Sequence, residues 1–151
     1  MGKSPKFIQV EIQSIADLRR IFDILHDALI LEEDIRFDPV GKTFDMWFLR
    51  EFLEDNQFID KKKMLFVTKY TYPLVRCHLH LKNVNGFEKK STDGALQRHT
   101  FNEATIVGGK CTLEFCEVLK ITFDFDSDVL RGKFEDLEIT KDKKRSFYKF
   151  G

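Results

Sequence analysis

Two histidines one residue apart, His78 and His80, have the types and spacing that most directly suggest chemistry in this chain. They fall in a run from Val75 to Lys82 in which apolar and polar residues alternate, as they do in a half-buried strand. Alternation puts both imidazoles on one face, about 7 Å apart along the backbone, close enough to share a metal ion. A zinc or iron site needs a third ligand from a neighbouring strand, and His99 or Glu103 would supply it if the strands pair suitably. Arg76 and Lys82 flank the pair, so a solvated sheet face accounts for the same residues without an ion.

Other constellations are less complete. Asp124, Asp126 and Asp128, with Glu135, have the acidic offsets of a calcium-binding EF-hand loop. Val129 stands where that loop needs glycine, and the flanks read as strands rather than helices, so an acidic hairpin turn is expected instead. The downstream Glu spacing of cupin-type metal sites is missing after His80. His26 and Asp27 sit at the end of a helical segment, where the imidazole would cap the helix and tie it to the sheet. A catalytic role for that pair would need a nucleophile beside it. No G-x-S-x-G, phosphate-binding loop, dinucleotide fingerprint or catalytic-cysteine signature occurs.

Two basic segments, Lys61 to Lys63 and Lys141 to Arg145, the latter followed by Phe147 and Tyr148, could stack on single-stranded nucleic acid. A solvated loop and a docked tail explain them equally well. Lys plus Arg and Asp plus Glu balance at 25 each, so no long-range pull toward nucleic acid or an anionic membrane is expected. Three cysteines without C-x-x-C spacing predict reduced, structural thiols and a cytoplasmic protein. No secretory or myristoylation signal and no apolar run of about 18 residues is present, so no membrane association is expected.

The elements that would position these residues follow from periodicity. Ile8, Val10 and Ile12 alternate as a strand, and Ser14 with Asp17 forms an acidic variant of a capping box. Ile15, Leu18, Ile21, Phe22 and Leu25 then recur at helical spacing, predicting one amphipathic helix that ends near Asp27. Thereafter the period is two. Asp38 to Gly41 reads as a turn, and Thr43 to Leu49 as a strand with Phe44, Met46 and Phe48 on one face. Trp47 and Leu49 lie on the other face. Glu54 to Lys63 reads as a charged loop pinned by Phe58 and Ile59, and Pro73 separates a strand at Met64 to Tyr70 from the histidine strand. Gly86 to Gly94 reads as a polar loop. Gly108-Gly109 marks a hairpin between Thr100 to Val107 and Lys110 to Phe115. Cys111, Leu113, Phe115, Leu119, Ile121, Phe123 and Phe125 share the apolar side of the next strands. Most of the 16 phenylalanines must lie inside.

One helix and eight or nine strands with short connections predict an α+β fold: an N-terminal helix on a mostly antiparallel sheet. The sheet either closes partly into a barrel or folds into two layers. Residues 1–151 form a single domain in this reading, with 141–151 a partly docked tail. The helix ending in Leu25-His26-Asp27-Ala28 before an all-strand remainder resembles small bacterial proteins of unknown function, including immunity-protein-like families. The resemblance implies a compact, non-catalytic, protein-binding domain, with His26 and Asp27 the only residues carried over.

The expectation is therefore a domain without cofactor or catalytic activity that binds another protein or a copy of itself. Trp47 and Leu49 would anchor the contact. A metal-binding protein or metal-dependent enzyme built on His78, His80 and a third ligand is the rival. A ligand-binding β-barrel, with a cavity among the phenylalanines, is the third.

Overall fold

The computed structural model describes residues 7–51, 60–63, 65–91, 98–116 and 119–150. Among the described residues the first elements are strand β1 (Gln9–Ile12) and the one helix, α1 (Ile15–Ile24). Ser14 caps the helix by accepting from the Asp17 amide, while the Asp17 carboxylate accepts from the Gln13 amide, so two otherwise unpaired donors are satisfied. Leu18, Ile21 and Phe22 bury one face. The helix stops three residues short of Asp27. There the chain turns through a left-handed Asp27 (φ 68°), whose amide donates to the Phe101 carbonyl.

The other described elements are strands: β2 (Leu29–Asp38), β3 (Thr43–Glu51), β4 (Asp60–Lys63), β5 (Val67–Lys82), β6 (Val84–Ser91), β7 (Arg98–Val107), β8 (Lys110–Phe115), β9 (Leu119–Phe125) and β10 (Arg131–Phe150). All pairings are antiparallel, in the order β1-β10-β5-β3-β2-β7-β8-β9-β6, with β4 added beside β5. The fold is α+β. Of the two arrangements expected, a closed barrel is not formed, because β1 and β6 stand at opposite ends of the order. The sheet instead bends over itself. Phe44 on β3 meets Phe87 on β6 at 5.6 Å and Phe123 on β9 at 4.9 Å, although these strands are remote in the sheet order. The enclosed core contains the seven alternating residues from Cys111 to Phe125, all buried.

Three local expectations need correction. Pro73 does not interrupt a strand; β5 runs through it, because β10 changes register between Thr140 and Lys144 and so tolerates the missing amide. The segment expected as a loop from Gly86 is strand β6 as far as Ser91, anchored by Phe87 against Phe37 and Phe44. The charged stretch before Met64 ends in strand β4, while Phe58 and Ile59 lie outside the described residues. The basic segment from Lys141 continues β10, paired with β5 through Phe150. Among the described residues no helix is long and apolar enough to cross a membrane.

Candidate metal centre

Strands β3 and β5 pair with Asp45 opposite His80 and Trp47 opposite His78. Four side chains of the outer face are thereby set in a square. The inner face of the same strands carries Phe44, Met46, Phe48, Cys77, Leu79 and Leu81, all buried, so the outer residues cannot rotate inward. His78 Nε2 lies 2.8 Å and His80 Nδ1 lies 2.7 Å from the same oxygen, Asp45 Oδ1. One ligand atom from each residue falls within 4.8 Å of the other two. Metal–ligand bonds of about 2.0–2.1 Å require ligand atoms about 2.9–3.4 Å apart, so an ion would be accommodated by small side-chain shifts. All three side chains are 22–30% exposed, which leaves further coordination positions open to water.

The surroundings hold the ligands in place. The Trp47 indole stacks on the His78 imidazole, with centroids 4.5 Å apart and planes 2° from parallel. The Arg36 guanidinium lies 5.1 Å from the centroid of the same indole. On the other flank β10 places Glu135 opposite His78 and Lys133 opposite His80, joined to each other at 3.4 Å. No family model, curated protein or solved structure matches this chain. What the site can do is therefore read from its own chemistry. Two imidazoles and one carboxylate form a donor set suited to zinc or ferrous iron.

The expected third ligands are not the ones found. His99 is buried on β7, where Nε2 bonds Glu32 Oε1 at 3.0 Å across to β2. It takes no part in the His78–His80 cluster, and neither does Glu103, which lines a cleft beside α1. Asp45 was hidden from sequence reasoning because its link to His80 depends on cross-strand register. The available signal was its place on the polar side of an alternating strand.

The remaining candidates resolve simply. Trp47 and Leu49 share the outer face but are half-buried rather than exposed, and Trp47 serves as a wall of the histidine cluster. His26 Nδ1 lies 2.7 Å from the Asn102 carbonyl, and Arg19 donates to the Ile106 carbonyl at 3.2 Å. Together they fasten α1 to β7. Asp27 stands 3.7 Å from His26 Nε2, with both side chains largely exposed. The acidic turn closes on itself, with Asp126 Oδ1 accepting from the Asp128 amide. Burial pushes the Cys111 thiol up to about 12. It pushes Cys77 further up, helped by the nearby Asp136 carboxylate and partly offset by Arg50 and the Phe48 backbone.

Proposed function

We propose that this chain binds a first-row transition-metal dication, zinc or ferrous iron, through Asp45, His78 and His80. The convergence of two imidazole nitrogens on one carboxylate oxygen carries this reading. An isolated Asp–His contact would be an ordinary surface pair; the second imidazole makes a three-point ligand set. Three protein ligands leave positions for water, as in sites where the ion does chemistry.

Equilibrium dialysis against zinc, with metal content read by elemental analysis, tests the reading. One ion per chain is expected, lost in a His78→Ala/His80→Ala variant and weakened at least tenfold, about 1.4 kcal/mol, in Asp45→Asn. Absence of stoichiometric metal, or metal retained by the double variant, would overturn it.

A second reading, association with a copy of itself, is favoured by a separate observation. The half-buried Trp47 and Leu49 border an open groove of about 620 Å³.

A further inference from the structure

The two basic segments, separate in sequence, are neighbours in the sheet. Strand β4 pairs with β5 from Lys61 opposite Tyr70 to Lys63 opposite Thr68. On its other side β5 pairs with β10, with Pro73 opposite Lys144 and Thr68 opposite Lys149. Residues 60–73 and 141–150 together hold nine Lys and Arg against two Asp. Because the chain as a whole is neutral, everything outside this ribbon is acidic by seven charges. At the turn joining β4 to β5, Leu65 and Phe66 are 87% and 74% exposed. A large aliphatic and a large aromatic side chain thus project together from a strongly basic three-stranded ribbon.

The groove beside Trp47 has the opposite character. It opens where β2 changes register against β3 between Ile30 and Ile35. Leu31, Trp47 and Leu49 supply apolar walls, and among the described residues Glu33, Asp34 and Glu138 outnumber the one lining cation, Arg76. Its volume falls within the roughly 300–1,000 Å³ of clefts that hold ligand-sized groups. Ten residue steps along the chain, the last nine within β5, separate Phe66 from Arg76 in the groove, about 33 Å when extended, so the tip cannot turn back into its own groove.

We infer that the β4–β5 tip of one copy seats in the Trp47 groove of a second copy. This rests on the self-association reading and names the two surfaces that meet. Leu65 and Phe66 enter against Leu31, Trp47 and Leu49, while the basic ribbon approaches the acidic side of the groove at Glu33, Asp34 and Glu138. The acidic remainder of the chain opposes approach of the same tip to nucleic acid or an anionic bilayer. Two different patches make a heterologous contact, which propagates into a ring or a filament rather than stopping at a symmetric dimer.

Sedimentation velocity on the full chain over a range of concentrations tests this, using Leu65→Asp/Phe66→Asp and Glu33→Lys/Glu138→Lys. These substitutions alter surface positions and leave the core untouched, and circular dichroism confirms that each variant is folded. Wild type should grow in mass with concentration, and less so at high salt. Each variant alone should remain monomeric. Mixed, the two should form a dimer and nothing larger, because one intact tip then meets one intact groove. Association that survives both variants overturns the tip-to-groove contact and leaves self-association through another face. A wild type that stays monomeric overturns both. A monomer that co-sediments with phosphatidylserine vesicles through Leu65 and Phe66 overturns both and reassigns the tip to an anionic surface.

Discussion

Arg50 and Asp136 face each other inside the protein as a two-pronged ion pair. Nε meets Oδ1 at 3.0 Å and Nη2 meets Oδ2 at 2.6 Å, with side chains 6% and 0% exposed. Asp136 also accepts from the Ile8 amide at 2.7 Å, so one carboxylate joins β3, β10 and the residue leading into β1. Removing one partner strands the other charge in a dry place. Asp136→Ala should cost about 3–5 kcal/mol in urea denaturation, whereas Arg50→Met/Asp136→Leu should recover part of that loss. A loss below about 1 kcal/mol for the single variant would mean the pair is solvated.

The cysteines give a second expectation. Cys77 and Cys111 are buried and Cys116 is exposed, so a thiol reagent near neutral pH should label one cysteine in the folded chain and all three after denaturation. Burial raises Cys111 from 9.0 to about 12, so the unfolded state loses its proton first on alkaline titration. Its contribution to stability is complete below pH 9 and declines as pH rises toward about 12. Rapid labelling of three thiols without denaturant would contradict the packing around Cys77 and Cys111.

His99 offers a test of tautomer. Nε2 reaches Glu32, whereas the buried Nδ1 has no hydrogen-bond partner among the described residues. Glutamine can place an amide nitrogen near the Nε2 position, and asparagine near Nδ1. His99→Gln should therefore stay close to wild type, while His99→Asn should lose about 1–3 kcal/mol by leaving Glu32 short of a donor. Thermal denaturation that ranks the two variants the other way would reverse the assignment.

Proton linkage gives the metal proposal a signature beyond stoichiometry. His78 Nε2 and His80 Nδ1 must each carry a free lone pair to hold an ion, so protons compete with it. Zinc affinity should fall as the solution is acidified, with protons released in calorimetry across buffers of different ionisation enthalpy. An affinity independent of pH would place the ion on other ligands.

Local periodicity made much of the fold legible. The seven apolar residues from Cys111 to Phe125 alternate in sequence and are all buried, because nothing but strand geometry is needed to place them. The same rule put His78 and His80 on one face. Asp45 escaped because its position beside them depends on register between strands more than thirty residues apart. Arg50 escaped for a related reason. It continues the inward series Phe44, Met46 and Phe48, but its charge alone favours solvent and its partner, Asp136, lies 86 positions away in sequence. The groove depends on a register change within β2, and no residue type in Leu31 to Asp34 announces it.

The position of β10 between β1 and β5 also governs the order of assembly. β1 hydrogen-bonds to residues more than a hundred positions later in the chain. At roughly 5–20 residues per second, translation leaves β1 without that partner for about 6–25 s. During that interval the Asp136 anchor for the Ile8 amide has not been made. The apolar stripe of α1 likewise waits for the β7 segment around Phe101, which Phe22 meets at 5.7 Å in the finished protein. The nascent chain thus carries a sticky helix until β7 is made and an unpaired first strand until β10 is made, a profile that invites chaperone holding.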